Sequence, residues 1–98
     1  MRVINVYQPI NPTFSVNENV KEYDPNDYKL VWKATGNTLY PDKSIEDVAE
    51  QIFMLSNHAR INDWKGYSMS TGDIINIDGN MLICCDVGWM PVSWKGEK

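Results

Sequence analysis

Histidine occurs once in this chain and cysteine twice, and the two cysteines, Cys84 and Cys85, are neighbours. These residues offer none of the spacings that hold a structural zinc ion, so no metal and no other cofactor is expected. Successive strand residues point to opposite faces, which would strain a disulfide between Cys84 and Cys85; two buried or half-buried thiols in a reducing compartment are expected instead. A redox role needs a thiolate-stabilising neighbour, and the sequence shows none beside them. Long apolar runs are also missing, since none approaches the ~20 residues of a membrane helix. The opening Met1-Arg-Val-Ile-Asn-Val-Tyr is too short and too strand-like for a signal peptide, so a cytoplasmic protein is expected. Basic residues are outnumbered, with 9 lysines and arginines against 13 acids and a formal charge of −4. That balance argues against direct binding of DNA or RNA, which draws on a surplus of lysine and arginine to displace phosphate counterions.

The parts of a nucleophilic site are lacking too. Gly66-Tyr67-Ser68-Met69-Ser70 matches a Gly-x-Ser-x-Gly elbow only in its first three positions, and it precedes a strand where the elbow joins strand to helix. Nothing in the sequence makes His58 a base for Ser68. The run Ser68, Ser70, Thr71, Gly72 has no Gly-Lys-Ser/Thr and opens no helix, so a phosphate cradle is not expected. A turn that orients the following strand, with Asp73 bonding local amides, accounts for it better.

What remains is the composition of one small globular domain spanning residues 1–98. A chain of this size buries only about 60–70 percent of its unfolded surface, which leaves room for a single core. Four tryptophans and five tyrosines are generous for the length. Some supply buried area; any left exposed are candidate contact points, notably Trp64, Tyr67 and Trp94. The acids Glu18, Glu22, Asp24 and Asp27 are interspersed with Lys21 and Lys29, which reads first as a solvated face and second as a partner-steering or DNA-mimicking surface.

Arg2 to Gln8 alternates β-branched residues up to Pro9 and is expected to be a strand. Pro9 to Asp27 is punctuated by proline and asparagine, although Val16, Val20 and Tyr23 at helical spacing suggest a hidden helical turn. A second strand is expected over Tyr28 to Ala34, ending at the turn signal Thr35-Gly36-Asn37. Ser44-Ile-Glu-Asp has a capping hydroxyl followed by acids in the first turn. The stripe Ile45, Val48, Ala49, Ile52, Phe53, Leu55 then predicts an amphipathic helix over about 45–56, with Asn57 as its stop. Asp73-Ile-Ile-Asn-Ile and Met81-Leu-Ile-Cys-Cys, separated by Asp78-Gly79-Asn80, predict a hairpin. Its parity sets Ile75, Ile77, Leu82 and Cys84 on one face and Ile74, Asn76, Met81, Ile83 and Cys85 on the other. Both faces are largely apolar, so the hairpin should be interior and covered on both sides. Trp89 to Trp94 reads as a short strand that Pro91 places at an edge, followed by a frayed 95–98 tail. The fold class expected is α+β: a small, mostly antiparallel curled sheet of four to five strands with one main helix packed on it.

Four blocks then stand out together: Tyr28-Lys-Leu-Val-Trp, Ser44-Ile-Glu-Asp-Val, Gly66-Tyr-Ser-Met-Ser-Thr-Gly-Asp-Ile-Ile and Val87-Gly-Trp. In order and spacing they resemble the YodL-like domain family. The resemblance implies a small α+β domain of Gram-positive bacteria, their phages and conjugative elements, and implies no established activity. Tyr67 stands where the family usually has histidine, and Cys85 near its usual aspartate. Gly66, Ser68, Ser70, Asp73, Gly88 and Trp89 match the pattern; glycines, turn hydroxyls and an aromatic beside a hairpin all have structural uses, so these are expected to be fold constraints.

The function expected is therefore a non-enzymatic interaction module of a phage or mobile element, with a host or element-encoded protein as partner. An inhibitor of a nucleic-acid-dependent defence enzyme, acting through Glu18, Glu22, Asp24 and Asp27, is the alternative. An enzyme or small-molecule binder built on the Ser68 to Asp73 turn ranks third.

Overall fold

The alternating β-branched residues at the start of the chain form β1 (Arg2–Pro9), around which the sheet is arranged. The computed structural model describes residues 2–11, 16, 19–36, 43–58 and 61–96. One side of β1 pairs with β3 (Tyr28–Gly36) and the other with β4 (Ile74–Ile77), both antiparallel. β4 turns into β5 (Asn80–Cys84), which pairs in turn with β6 (Trp89–Pro91). The result is an open five-stranded antiparallel sheet in the order β3-β1-β4-β5-β6. Two further strands, β2 (Glu22–Tyr23) and β7 (Ser93–Trp94), form a separate parallel pair.

The β4–β5 turn is Asp78-Gly79. Both residues have positive φ, 55° and 90°, which a two-residue turn of the I′ kind requires and which matches the twist of the flanking strands. Ile77 then opposes Asn80 and Ile75 opposes Leu82, giving the parity read from the sequence. Ile75, Ile77 and Leu82 join Ile4, Val6 and Val31 in the core beneath the helix, whereas Ile74, Met81, Ile83 and Cys85 join a second cluster on the opposite face.

The helix α1 (Ile45–His58) begins where Ser44 Oγ accepts from Asp47 N at 3.2 Å, and it buries Val48, Ala49 and Ile52 against the sheet. It runs two residues past the expected end at Ser56. Asn57 does not stop it, because Asn57 Nδ2 and Ser56 Oγ both donate to Phe53 O, at 2.8 and 2.9 Å, and hold the last turn together. Leu55, assigned to the buried stripe from its spacing, is 37 % exposed.

The second face is covered by aromatics. Tyr28 and Trp94 meet at 5.5 Å between ring centroids, Tyr7 and Trp94 at 5.2 Å, each edge to face. Trp94 arrives there because the expected Trp89 to Trp94 strand divides at Val92. Pro91 ends the edge strand β6, and Ser93 N then donates to Lys21 O at 2.9 Å to start the pairing with β2. Tyr23, expected on a helical turn, lies in β2 and is buried. Helical geometry falls instead at Pro25–Asp27, where Asp24 Oδ1 accepts from Asn26 N at 2.9 Å and proline occupies the first position. Asn37, the end of the expected turn signal, and the last two residues of the tail lie outside the described residues.

Candidate functional site

β1 presents Ile4 and Val6 toward the helix side, and the same parity brings Gln8 inward with no exposed surface. A buried amide must satisfy its donors and acceptor, and Gln8 does so on the segment that runs from Gly66 to Asp73. Gln8 Nε2 donates to Tyr67 O at 2.8 Å and to Asp73 Oδ2 at 3.0 Å, and Gln8 Oε1 accepts from Tyr67 N at 3.3 Å. Asp73 Oδ2 also accepts from Ser70 N at 3.1 Å, while Asp73 N donates back to Ser70 O at 3.1 Å. Asp73 thus bonds local amides as its place in the turn suggested. Its carboxylate is fully buried, and Oδ1 has no hydrogen-bond partner. Burial raises its pKa to about 6, with the bonds from Ser70 and Gln8 acting in the opposite direction.

The same segment is fastened to the helix and the sheet. Met69 N donates to Ser56 Oγ at 3.0 Å, Asn57 Nδ2 to Met69 O at 3.2 Å, and Trp64 Nε1 to Tyr67 O at 2.8 Å. Between helix end and segment lies an open groove of about 530 Å³ lined by Ser56, Asn57, His58, Ile61, Trp64, Gly66 and Ser68. His58 and Ser68 share this groove, but no hydrogen bond joins them.

The residues singled out from sequence fall into distinct places. Gly66 packs so closely that a Cβ would overlap Gln8 Oε1 and lie 2.9 Å from Val31 Cγ1. Gly88 has φ of 76°, a conformation that disfavours any side chain. Trp89 is half-buried, meeting Phe53 edge to face and donating from Nε1 to Glu50 Oε2 at 3.0 Å. Ser68 and Ser70 are exposed on the segment's outer side. Trp64 and Trp94, expected as exposed aromatics, are half-buried because Trp64 packs on Trp32 at 5.8 Å and Trp94 on Tyr7 and Tyr28. Tyr67 is 47 % exposed. Of the acids, Glu22 and Asp27 are exposed, Asp24 caps the Pro25–Asp27 turn, and Glu18 lies outside the described residues. Cys84 and Cys85 are buried and joined in no disulfide, and burial pushes the Cys84 thiol up to about 12.

The fastening of this segment by Gln8, Ser56 and Asn57 escaped sequence reasoning. Gln8 alone left a signal, as a polar residue in phase with the apolar Ile4 and Val6.

Among the described residues no helix is long and apolar enough to cross a membrane. No curated protein and no solved structure matches the chain. The family model described as the YodL-like domain matches residues 6–86, from within β1 to just past the end of β5. The match takes in both ends of the Gln8–Asp73 bond together with Gly66, Ser68 and Ser70, and it stops short of Gly88 and Trp89. With most of its length matched in this way, the chain belongs to the YodL-like domain family.

Proposed function

We propose that this domain is a non-enzymatic protein–protein interaction module of a phage or mobile element, with Tyr67 at the centre of its contact surface. The observation that supports this reading is the contrast between the backbone and the ring of Tyr67. Its carbonyl accepts from Gln8 Nε2 and Trp64 Nε1, each at 2.8 Å, and its amide donates to Gln8 Oε1 at 3.3 Å. The residue is nonetheless 47 % exposed. An aromatic whose backbone is fixed before binding loses less conformational freedom on contact, and tyrosine is enriched among residues that dominate interface energies. The conspicuous polar groups of the same segment serve the fold: Asp73 and Gln8 bond each other and the backbone and present nothing to solvent.

Affinity capture from bacterial host lysate with tagged wild-type protein and with Tyr67→Ala tests this. The wild type should retain a partner at micromolar concentration, and Tyr67→Ala should weaken retention by about 30-fold, the ~2 kcal/mol of an anchor residue. Circular dichroism of the two proteins should agree. Capture of nothing, or equal capture by both, defeats the proposal.

A further inference from the structure

β3 forms one edge of the five-stranded sheet, and the direction of its backbone groups follows from its neighbours. Val3 O accepts from Asp78 N at 2.9 Å, so Val3 and Asn5 turn their peptide groups toward β4, and Ile4 and Val6 turn theirs toward β3. Ala34 and Trp32, the partners of Ile4 and Val6, therefore face β1. Lys33 and Thr35 direct their N–H and C=O groups away from the sheet. Val31, at the register shift opposite Val6 and Tyr7, also points outward, and its carbonyl accepts from Lys65 N at 2.8 Å. Trp32 Nε1 steadies that covering segment by donating to Asn62 O at 3.1 Å. Beyond Val31, no described residue pairs with the outer edge of β3.

Beside this stretch is a groove of about 260 Å³, formed by Leu30, Val31, Trp32 and Lys33 on the strand and by Asp63 and Lys65 across from it. Leu30 is 49 % exposed. β3 carries two lysines and no acid, in a chain whose formal charge is −4. Lys29, Lys33 and Lys65 are exposed, and none of them forms an ion pair among the described residues.

We infer that the outer edge of β3 takes an extended acidic segment of a partner protein as an added strand. Backbone bonds to Lys33 and Thr35 supply the pairing, carboxylates meet Lys33 and Lys65, and an apolar side chain seats against Leu30 and Trp32. A second copy of this chain is a poorer occupant, because pairing β3 with itself sets a lysine-bearing edge against its like. Edge lysines blunt self-association of a strand, and the same charge selects an acidic one. The inference rests on the reading of the domain as an interaction module and gives that partner its chemistry.

The test uses two short labelled peptides, one alternating valine with glutamate and one alternating valine with lysine, followed by fluorescence anisotropy and amide hydrogen exchange. The glutamate peptide should bind about tenfold or more tighter than the lysine peptide, and should slow exchange at Lys33 and Thr35. Thr35→Pro removes one outward N–H, and Lys33→Glu reverses the local charge without touching the backbone. Each should weaken the glutamate peptide by about tenfold, and Lys33→Glu, whose fold does not depend on the exchanged charge, decides the matter if Thr35→Pro fails to fold. No binding, equal binding of both peptides, or binding indifferent to Lys33→Glu overturns the inference. If the peptides fail while Tyr67-dependent capture from lysate persists, the edge assignment falls and the interaction module stands.

Discussion

Asp73 sits where a carboxylate is costly. Full burial lifts its pKa from 3.8 to about 6, although Ser70 N and Gln8 Nε2 both favour the charged form. The folded protein therefore holds this proton more tightly than the unfolded chain. The stability it contributes is complete below about 3.8 and is lost as the pH rises through about 6. A shift of this size corresponds to roughly 3 kcal/mol. Asp73→Asn keeps an oxygen for Ser70 and Gln8 and cannot ionise. Urea unfolding from pH 4 to 7 should show wild type losing about 2 kcal/mol relative to the variant, since part of the loss precedes pH 4; parallel curves would refute the assignment. At Gly66 the constraint is space. Gly66→Ala drives a methyl into Gln8 Oε1 and against Val31, so about 1–3 kcal/mol of stability should vanish, and an unchanged urea midpoint would show that the segment yields freely.

Among the elements, α1 depends on its first turn. Ser44→Ala removes the acceptor for Asp47 N and should cost about 1 kcal/mol, read as a lower thermal midpoint with unchanged helical signal in circular dichroism. This helix and the β4–β5 hairpin were legible in the sequence because their signals are local and repeated: a cap, a stripe, and an Asp-Gly turn that fixes parity. β2 and β7 were not, since strands of two residues show no period, and their parallel pairing is set by contacts such as Ser93 N to Lys21 O across most of the chain. The division of the last strand at Val92 follows from that pairing. Leu55 shows the limit of spacing, because a stripe says which residues share a helix face and not how far the sheet extends beneath it. At the candidate site, the Ser70–Asp73 turn was legible for the same local reason. The clamp on it was not, since Gln8 reaches Asp73 from 65 positions away.

At the scale of the molecule, the sheet is closed on one face by α1 and on the other by Tyr7, Tyr23, Tyr28 and Trp94. Trp94 joins Tyr7 to Tyr28 and shields a cluster containing Ile74, Met81 and Ile83. Trp94→Ala should cost about 2 kcal/mol, less than the ~3–5 of a fully buried aromatic, and should bring binding of a dye that reports apolar surface; absence of dye binding would mean another group covers that face. The place of β1 between β3 and β4 has a consequence in time. Its bond from Val3 N to Asp78 Oδ1 joins residues 75 apart, so β1 leaves the ribosome well before the residues it bonds to. At ~5–20 residues per second that wait is on the order of 4–15 s. During synthesis Ile4 and Val6 are exposed without their β4 partners, and the pace of translation, more than the depth of the finished core, governs how long this strand is open to mispairing.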